Sequence, residues 1–364
     1  MSAVGTRLHR YIFRQLLVAL LFAIGGILLV ALPGIAVSTV HRMPFAGPDL
    51  LARYLPLVLK TLAPYVLPIC FLLAVVATYG RLAADREWTA IQMSGAHPLG
   101  MFLPGLLLAA LLGAGTYWMV SVDMPRSKVA QRMLVKDVAR AALLQLKPGR
   151  TTLEFGRFYL RAAYRDKENQ NILYKVHIRT PDKDMGHAVD IFAEKVELRL
   201  DADNLSIDLY EPQTSTVEKG LELGVENFTY TVPIEDLVGV RQNNYTHPAY
   251  MTSSAIREEL GKGVDEEKRS TLLQFELDYR ISMSAIYLIF LLVGAPTGIL
   301  LRKGTQLGAL TVAIGFGLVY YALSVQLGRD LGRGGHVPTW AAVGFVPAVG
   351  LLVSLPLVAR TVKR

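Results

Sequence analysis

Long apolar runs at both ends of the chain flank a polar middle, and short charged breaks separate the runs. A bilayer core of about 30 Å is crossed by roughly 20 helical residues. Charge-free runs of that order lie at about 15–40, 61–80, 99–121, 281–301, 304–328 and 338–358. They predict six transmembrane helices, three before the polar middle and three after. The stretch from Glu87 to Asp123 is too long for one span, and His97-Pro98 divides it. Residues 124–147 read as a helix that extends the third span into solvent, ended by Pro148-Gly149.

After that turn the period changes to two. In RFYLRAAYR, Phe158, Leu160, Ala162 and Tyr164 share one face, and Arg157, Arg161 and Arg165 share the other. In ILYKVHIR, Ile172, Tyr174, Val176 and Ile178 alternate with Lys175, His177 and Arg179. The same alternation recurs at 196–201, 205–209 and 228–234, giving at least five half-buried strands. Strands of this kind predict an antiparallel sheet folded on itself. The inward row, which includes Phe158, Leu160, Tyr174, Val176, Phe228 and Tyr230, has two readings: a closed core, which its composition favours, or an open slot that accepts acyl chains. Residues 251–280 turn helical again, with Thr252 or Ser253 placed to cap IREEL. The resulting fold class is an α+β membrane protein. Its parts are a first membrane half (1–123), an outer β-domain with flanking helices (124–280) and a second membrane half (281–364).

Composition agrees with this division. Hydrophobic residues make up 52% of the 364-residue chain and charged ones 19%. Residues 124–280 hold 23 Lys+Arg against 25 Asp+Glu, a net of −2, which leaves +10 for the remainder of a chain whose total is +8. Basic apolar ends around a near-neutral insert suit loops that touch anionic lipid and do not suit a nucleic-acid binder. With the N-terminus inside, the short inner segments carry ten Lys/Arg, from Arg7, Arg10 and Arg14 through Arg81 and Arg86 to Arg364. The outer ones carry four, Arg42, Arg53, Arg329 and Arg333. The positive-inside bias therefore places both termini in the cytoplasm and the insert outside.

Catalytic chemistry is missing. There is no GxxxxGK[ST], GxSxG or GxGxxG in a strand-to-helix setting. The single cysteine, Cys70, excludes a disulfide framework within the chain, and the seven His form no close metal pairing. No Asp, Glu, Lys or Arg lies inside a span, which argues against a proton- or sodium-driven path. Any work this chain does would draw energy from a partner.

One stretch breaks the apolar pattern. YGRLAADREWTAIQMSG, residues 79–95, places Arg81, Asp85, Arg86 and Glu87 in a short segment between the second and third spans. A helix over 84–94 would set Trp88 and Ile91 three residues apart, as if to fill a partner's groove, with Asp85, Arg86 and Glu87 at its rim. The alternative is an interfacial helix with Trp88 at the lipid headgroups.

This stretch, together with LHRYIFRQLL at the N-terminus and FELDYRISMSAIYLIFLLVGAPTGILLRKG at the re-entry, resembles the LptF/LptG family, the permeases of the lipopolysaccharide-export ABC transporter. The resemblance covers almost the whole chain. It implies a jelly-roll outer domain that carries acyl chains. It also implies a cytoplasmic ATPase dimer that uses ATP and Mg, a second related permease and a periplasmic lipid-transfer bridge. The cargo would be lipopolysaccharide or a similar lipid. By the motif match, Glu87 would be the acidic coupling residue. His41, Arg42, Arg53 and Lys60 lie near the outer ends of the first two spans. They would either meet lipid phosphates or anchor the spans at the interface, and no motif fixes a phosphate site.

Overall fold

The computed structural model describes residues 3–42, 48–95, 97–144, 152–155, 158–166, 169, 171–181, 188–200, 204–216, 227–233, 247–263, 266–301, 306–333 and 337–362. The chain separates into two compact units. One comprises Met1–Pro33, Val58–Ser127 and Thr246–Arg364; the other comprises Gly34–Leu57 and Lys128–Tyr245.

The helices are α1 (Ala3–Arg42), α2 (Pro48–Ala84), α3 (Glu87–Met93), α4 (Leu103–Trp118), α5 (Met124–Leu144), α6 (Ser253–Gly261), α7 (Glu267–Leu300), α8 (Gln306–Arg333) and α9 (Thr339–Val362). Among the described residues, five helices are long and apolar enough to cross a membrane. They are α1, α2, the run from Pro98 to Val135, α7 and α9. The remaining predicted span, 304–328, falls on α8, a helix of 28 residues that contains the apolar stretch Gly308–Ser324. The side chains of Gln306, Leu307, Val325 and Leu327, on either side of that stretch, lie outside the described residues.

His97-Pro98 does divide the long apolar run. The His97 ring accepts from the Leu99 backbone N–H at 3.3 Å, and Pro98 starts a 3₁₀ turn, Pro98–Phe102, that leads into α4. A π turn at Met119–Asp123 joins α4 to α5. The predicted helical extension of the third span is therefore present.

In the helical unit the core gathers on α7. A Cβ on Gly298 would stand 2.7 Å from the Val76 carbonyl oxygen and 2.9 Å from the Gly80 nitrogen, so α2 and α7 touch backbone to backbone. A Cβ on Gly113 would stand 2.8 Å from the Ser284 carbonyl oxygen, so α4 approaches α7 as closely, nearer its N-terminus. Between these contacts the Thr116 and Tyr287 hydroxyls share a hydrogen bond of 2.7 Å, and Phe71 packs edge-on to Tyr287 at 5.6 Å. The small residues thus permit the approach, and the aromatics fill the space around it.

Residues 246–280, assigned by composition to the outer insert, group with the helical unit. Arg280 on α7 accounts for this. Its side chain is 1% exposed. It donates to the carbonyls of Pro248 and Met251, to Ser253 Oγ and to the Glu276 carboxylate. A buried guanidinium whose three nitrogens all donate, one of them to a carboxylate, is tolerated where an unpaired one would be costly. The same bonds tether the 3₁₀ turn Pro248–Tyr250 and the start of α6 to α7. Thr252 caps α6 by accepting from the Ala255 N–H, as predicted for that position.

The second unit is built on one antiparallel sheet of six strands: β1 (Thr152–Phe155), β2 (Phe158–Arg165), β3 (Ile172–Pro181), β4 (Ala188–Leu200), β5 (Asn204–Thr216) and β6 (Asn227–Pro233). The strands pair in chain order, so the described strands form a meander. A jelly roll requires crossover connections, and none lies among the described strands.

The alternation slips along one line across this sheet. Inward residues step by three instead of two from Leu173 to Val176, from Ala193 to Val196 and from Leu209 to Pro212. The pairings Ala163–Lys175, Lys175–Glu194 and Glu194–Glu211 are missing from otherwise continuous ladders. Lys175 and Glu211 sit on this line with φ of 51° and 53°, in the left-handed region. Strands that slip in this way bend, and both halves of the sheet turn their apolar side to a single cluster. The predicted sheet folded on itself is therefore a meander creased along 163–175–194–211.

Candidate coupling helix and lipid-facing residues

The segment between α2 and α3 reverses direction within a few residues. Asp85 N–H donates to Arg81 at 2.9 Å and Arg86 N–H to Ala83 at 3.3 Å, which closes α2. Arg86 then takes a left-handed conformation, φ 60°, and its carbonyl accepts from Ala90 N–H to start α3. A non-glycine residue there costs about 1 kcal/mol or more and persists where its surroundings fix the turn. Trp88 is that surrounding feature. It is 2% exposed and stacks in a three-ring cluster, 6.4 Å from Tyr79 and 5.9 Å from Phe102. Tyr79 completes the cluster at 5.5 Å from Phe102 and donates its hydroxyl to the Met101 carbonyl at 2.9 Å. Gly95, with φ 84°, lets the chain leave α3 where a side chain would be strained.

The expectation that Trp88 reaches out to a partner is therefore corrected. The ring of Trp88 is fully used inside the chain, and Ile91 is half-buried against the same apolar core. The outer surface of the segment consists of Asp85, Arg86, Thr89, Ala90 and Met93, the last 84% exposed. Glu87 stands at the edge of that surface. Its carboxylate accepts from the Tyr11 hydroxyl at 3.1 and 3.3 Å. A second tie lies nearby, where His9 Nε2 approaches the Gly100 carbonyl at 3.1 Å. Two side chains near the start of α1 thus hold the α3 segment at its first residue and beyond its end. Sequence reasoning missed both, because the partners are 76 and 91 residues apart and no local pattern marks them.

The four cations assigned to the outer ends of the first two spans are not brought together by anything described. His41 and Arg42 end α1, and their side chains lie outside the described residues. Arg53 is exposed on α2. Lys60 is 3.5 Å from Asp123 in the π turn, so its charge already has a partner.

The candidate acyl-slot residues divide. Leu160 and Val176 are closed into the sheet's core, at 0% and 1% exposure. Tyr230 is half-buried against it. Tyr174 is corrected from the inward row: the slip at Lys175 turns it outward, where it stacks on exposed Tyr164 at 5.1 Å, and Leu173 takes the inward place. The side chains of Phe158 and Phe228 lie outside the described residues. Among the described residues no group of His, Cys, Asp or Glu is placed to hold a metal.

Comparison with curated proteins finds no match. The family described as lipopolysaccharide export system permease LptF/LptG matches residues 10–360, nearly the whole chain. With several bilayer-length apolar helices in one unit and an antiparallel sheet in the other, the chain belongs to this family and is a multi-pass inner-membrane permease for lipopolysaccharide export, a transport subunit of an ABC transporter and not a catalytic enzyme.

Proposed function

We propose that the chain converts ATP hydrolysis in a partner ATPase into extraction of lipopolysaccharide, and that α3 is where the two proteins meet. In this reading both termini and α3 are cytoplasmic, the sheet unit is periplasmic, and α8 serves as the sixth span. A second related permease completes the cavity, and a periplasmic bridge receives the lipid. ATP and Mg belong to the partner.

The observation that carries the proposal is the mounting of α3. It exposes an outer surface of Thr89, Ala90 and Met93 rimmed by Asp85, Arg86 and Glu87, and its inner surface is pinned by Trp88 to the Tyr79–Phe102 cluster. A push on that surface cannot be absorbed locally by a loose loop. It passes to α2 and α4 through the ring cluster and to α1 through Tyr11 and His9. Movement of α1 against its neighbours would narrow a lipid cavity and drive its contents outward. His41, Arg42, Arg53 and Lys60 are the candidates for phosphate contacts on the outer side, with Lys60 exchanging Asp123 for lipid. The slot reading of the sheet requires its crease to open between Leu160/Val176 and Tyr230.

The test is purification of the native protein in mild detergent, with mass spectrometry of retained proteins and lipids. An ATPase that co-purifies, and is lost in Glu87→Ala while the protein stays folded, supports the proposal. Full ATPase retention and full export by Glu87→Ala would sink the role of Glu87. No ATPase even after crosslinking would point to a membrane-anchored scaffold.

A further inference from the structure

A cleft of about 450 Å³ opens between α1 and α2, beside the Tyr11–Glu87 contact. Its two ends differ chemically. At one end stand the exposed guanidinium groups of Arg14 and Arg81, with Gln15 and Thr78 beside them. Thr78 is 2% exposed, and neither its hydroxyl nor the Gln15 side-chain oxygen has a hydrogen-bond partner among the described residues. Toward the other end the wall is Val18 and Phe22. From Tyr11 to Phe22 the helix rises about 16 Å, enough for a headgroup, a glycerol and the first carbons of an acyl chain.

An occupant that matches both ends offers anionic oxygens to the two arginines and an apolar tail to Val18 and Phe22. Water would leave the apolar wall and the two charges without a match. We propose that this cleft is a binding site for an anionic phospholipid, with phosphatidylglycerol as the fitting chemistry. Its phosphodiester lies between Arg14 and Arg81, and its acyl chain runs along Val18 and Phe22. The lipid sits in the leaflet on the α3 side and is distinct from the exported cargo, which under the orientation proposed above leaves from the opposite leaflet. A lipid held there stabilises α1 next to its tie to Glu87.

The test is a titration of phosphatidylglycerol into the full-length protein in phosphatidylcholine nanodiscs, followed by detergent release and native mass spectrometry of the retained lipid. Each arginine near the surface contributes about a fivefold preference for anionic lipid, so Arg14→Gln with Arg81→Gln raises the half-retention content about 25-fold. Val18→Trp fills the apolar end with no change of charge and lowers retention as well. Arg7→Gln with Arg10→Gln removes equal charge outside the cleft and leaves retention as in the wild type. Wild-type retention in Arg14→Gln/Arg81→Gln or in Val18→Trp would overturn the site. So would an equal loss in Arg7→Gln/Arg10→Gln, which would mean a diffuse surface effect. Because the readout is lipid retention alone, a preparation that lacks an ATPase but keeps the lipid would count against the coupling proposal and leave this one standing.

Discussion

Replacing Tyr11 by Phe removes one hydroxyl and nothing else from the contact that ties α1 to α3. The hydroxyl donates to the Glu87 carboxylate at 3.1 Å, with the second oxygen at 3.3 Å. A buried hydrogen bond to a carboxylate contributes about 1.5–3 kcal/mol. Tyr11 is 43% exposed, so solvent competes and the net contribution falls to about 1 kcal/mol. That corresponds to about a fivefold change in the opening equilibrium of α3. Hydrogen exchange of the full-length protein reads this directly at the amides of residues 90–95, which close α3. Tyr11→Phe is expected to speed their exchange about fivefold, and Glu87→Ala by at least as much. The double variant should exchange no faster than Glu87→Ala alone, because the contact can be lost once. Unchanged exchange in Tyr11→Phe, or effects that simply add, would refute the tie between the two helices.

Three further substitutions test the frame that holds the site. Gly298→Ala places a methyl 2.7 Å from the Val76 carbonyl and should lower the stability of the helical unit by about 1–3 kcal/mol. Gly25→Ala, which meets nothing within 4 Å, should stabilise α1 slightly; thermal unfolding in detergent compares the two. Arg280→Met strands Glu276 and the Pro248 and Met251 carbonyls at a cost of about 3–5 kcal/mol, so limited proteolysis should cut within 247–263 far faster. Lys175→Val forces a β-branched residue into the left-handed conformation at the sheet crease and should cost about 1–2 kcal/mol, whereas Lys175→Gly should be tolerated, as read by protease resistance of the sheet.

Apolar run length and charge breaks made the helices legible, since the bilayer demands both. Over 304–328 the same signal marks a sixth run, and helix α8 lies there. Strict alternation placed Leu160, Val176, Leu198, Ile207 and Leu209 correctly in the sheet core. It failed at Tyr174 because period-two reasoning assumes an unbroken ladder, and Lys175 breaks it through a backbone angle that lysine composition does not signal. The strand β1 escaped notice because four residues are too few for a period to emerge. At the coupling segment, the charges and the short helix were readable. The inward turn of Trp88 was not, because its ring partners Tyr79 and Phe102 come from elements before and after it and meet only in the folded state.

The central claim is that the outer surface of α3 faces an ATPase and not lipid. Photocrosslinking in native membranes tests it most directly, with a photoreactive side chain placed in turn at exposed Thr89 and Met93. The account predicts an adduct between this chain and a cytoplasmic ATPase from both positions, changed in yield by ATP. Adducts with phospholipid alone from both positions would contradict it and leave α3 as a helix lying on the membrane surface.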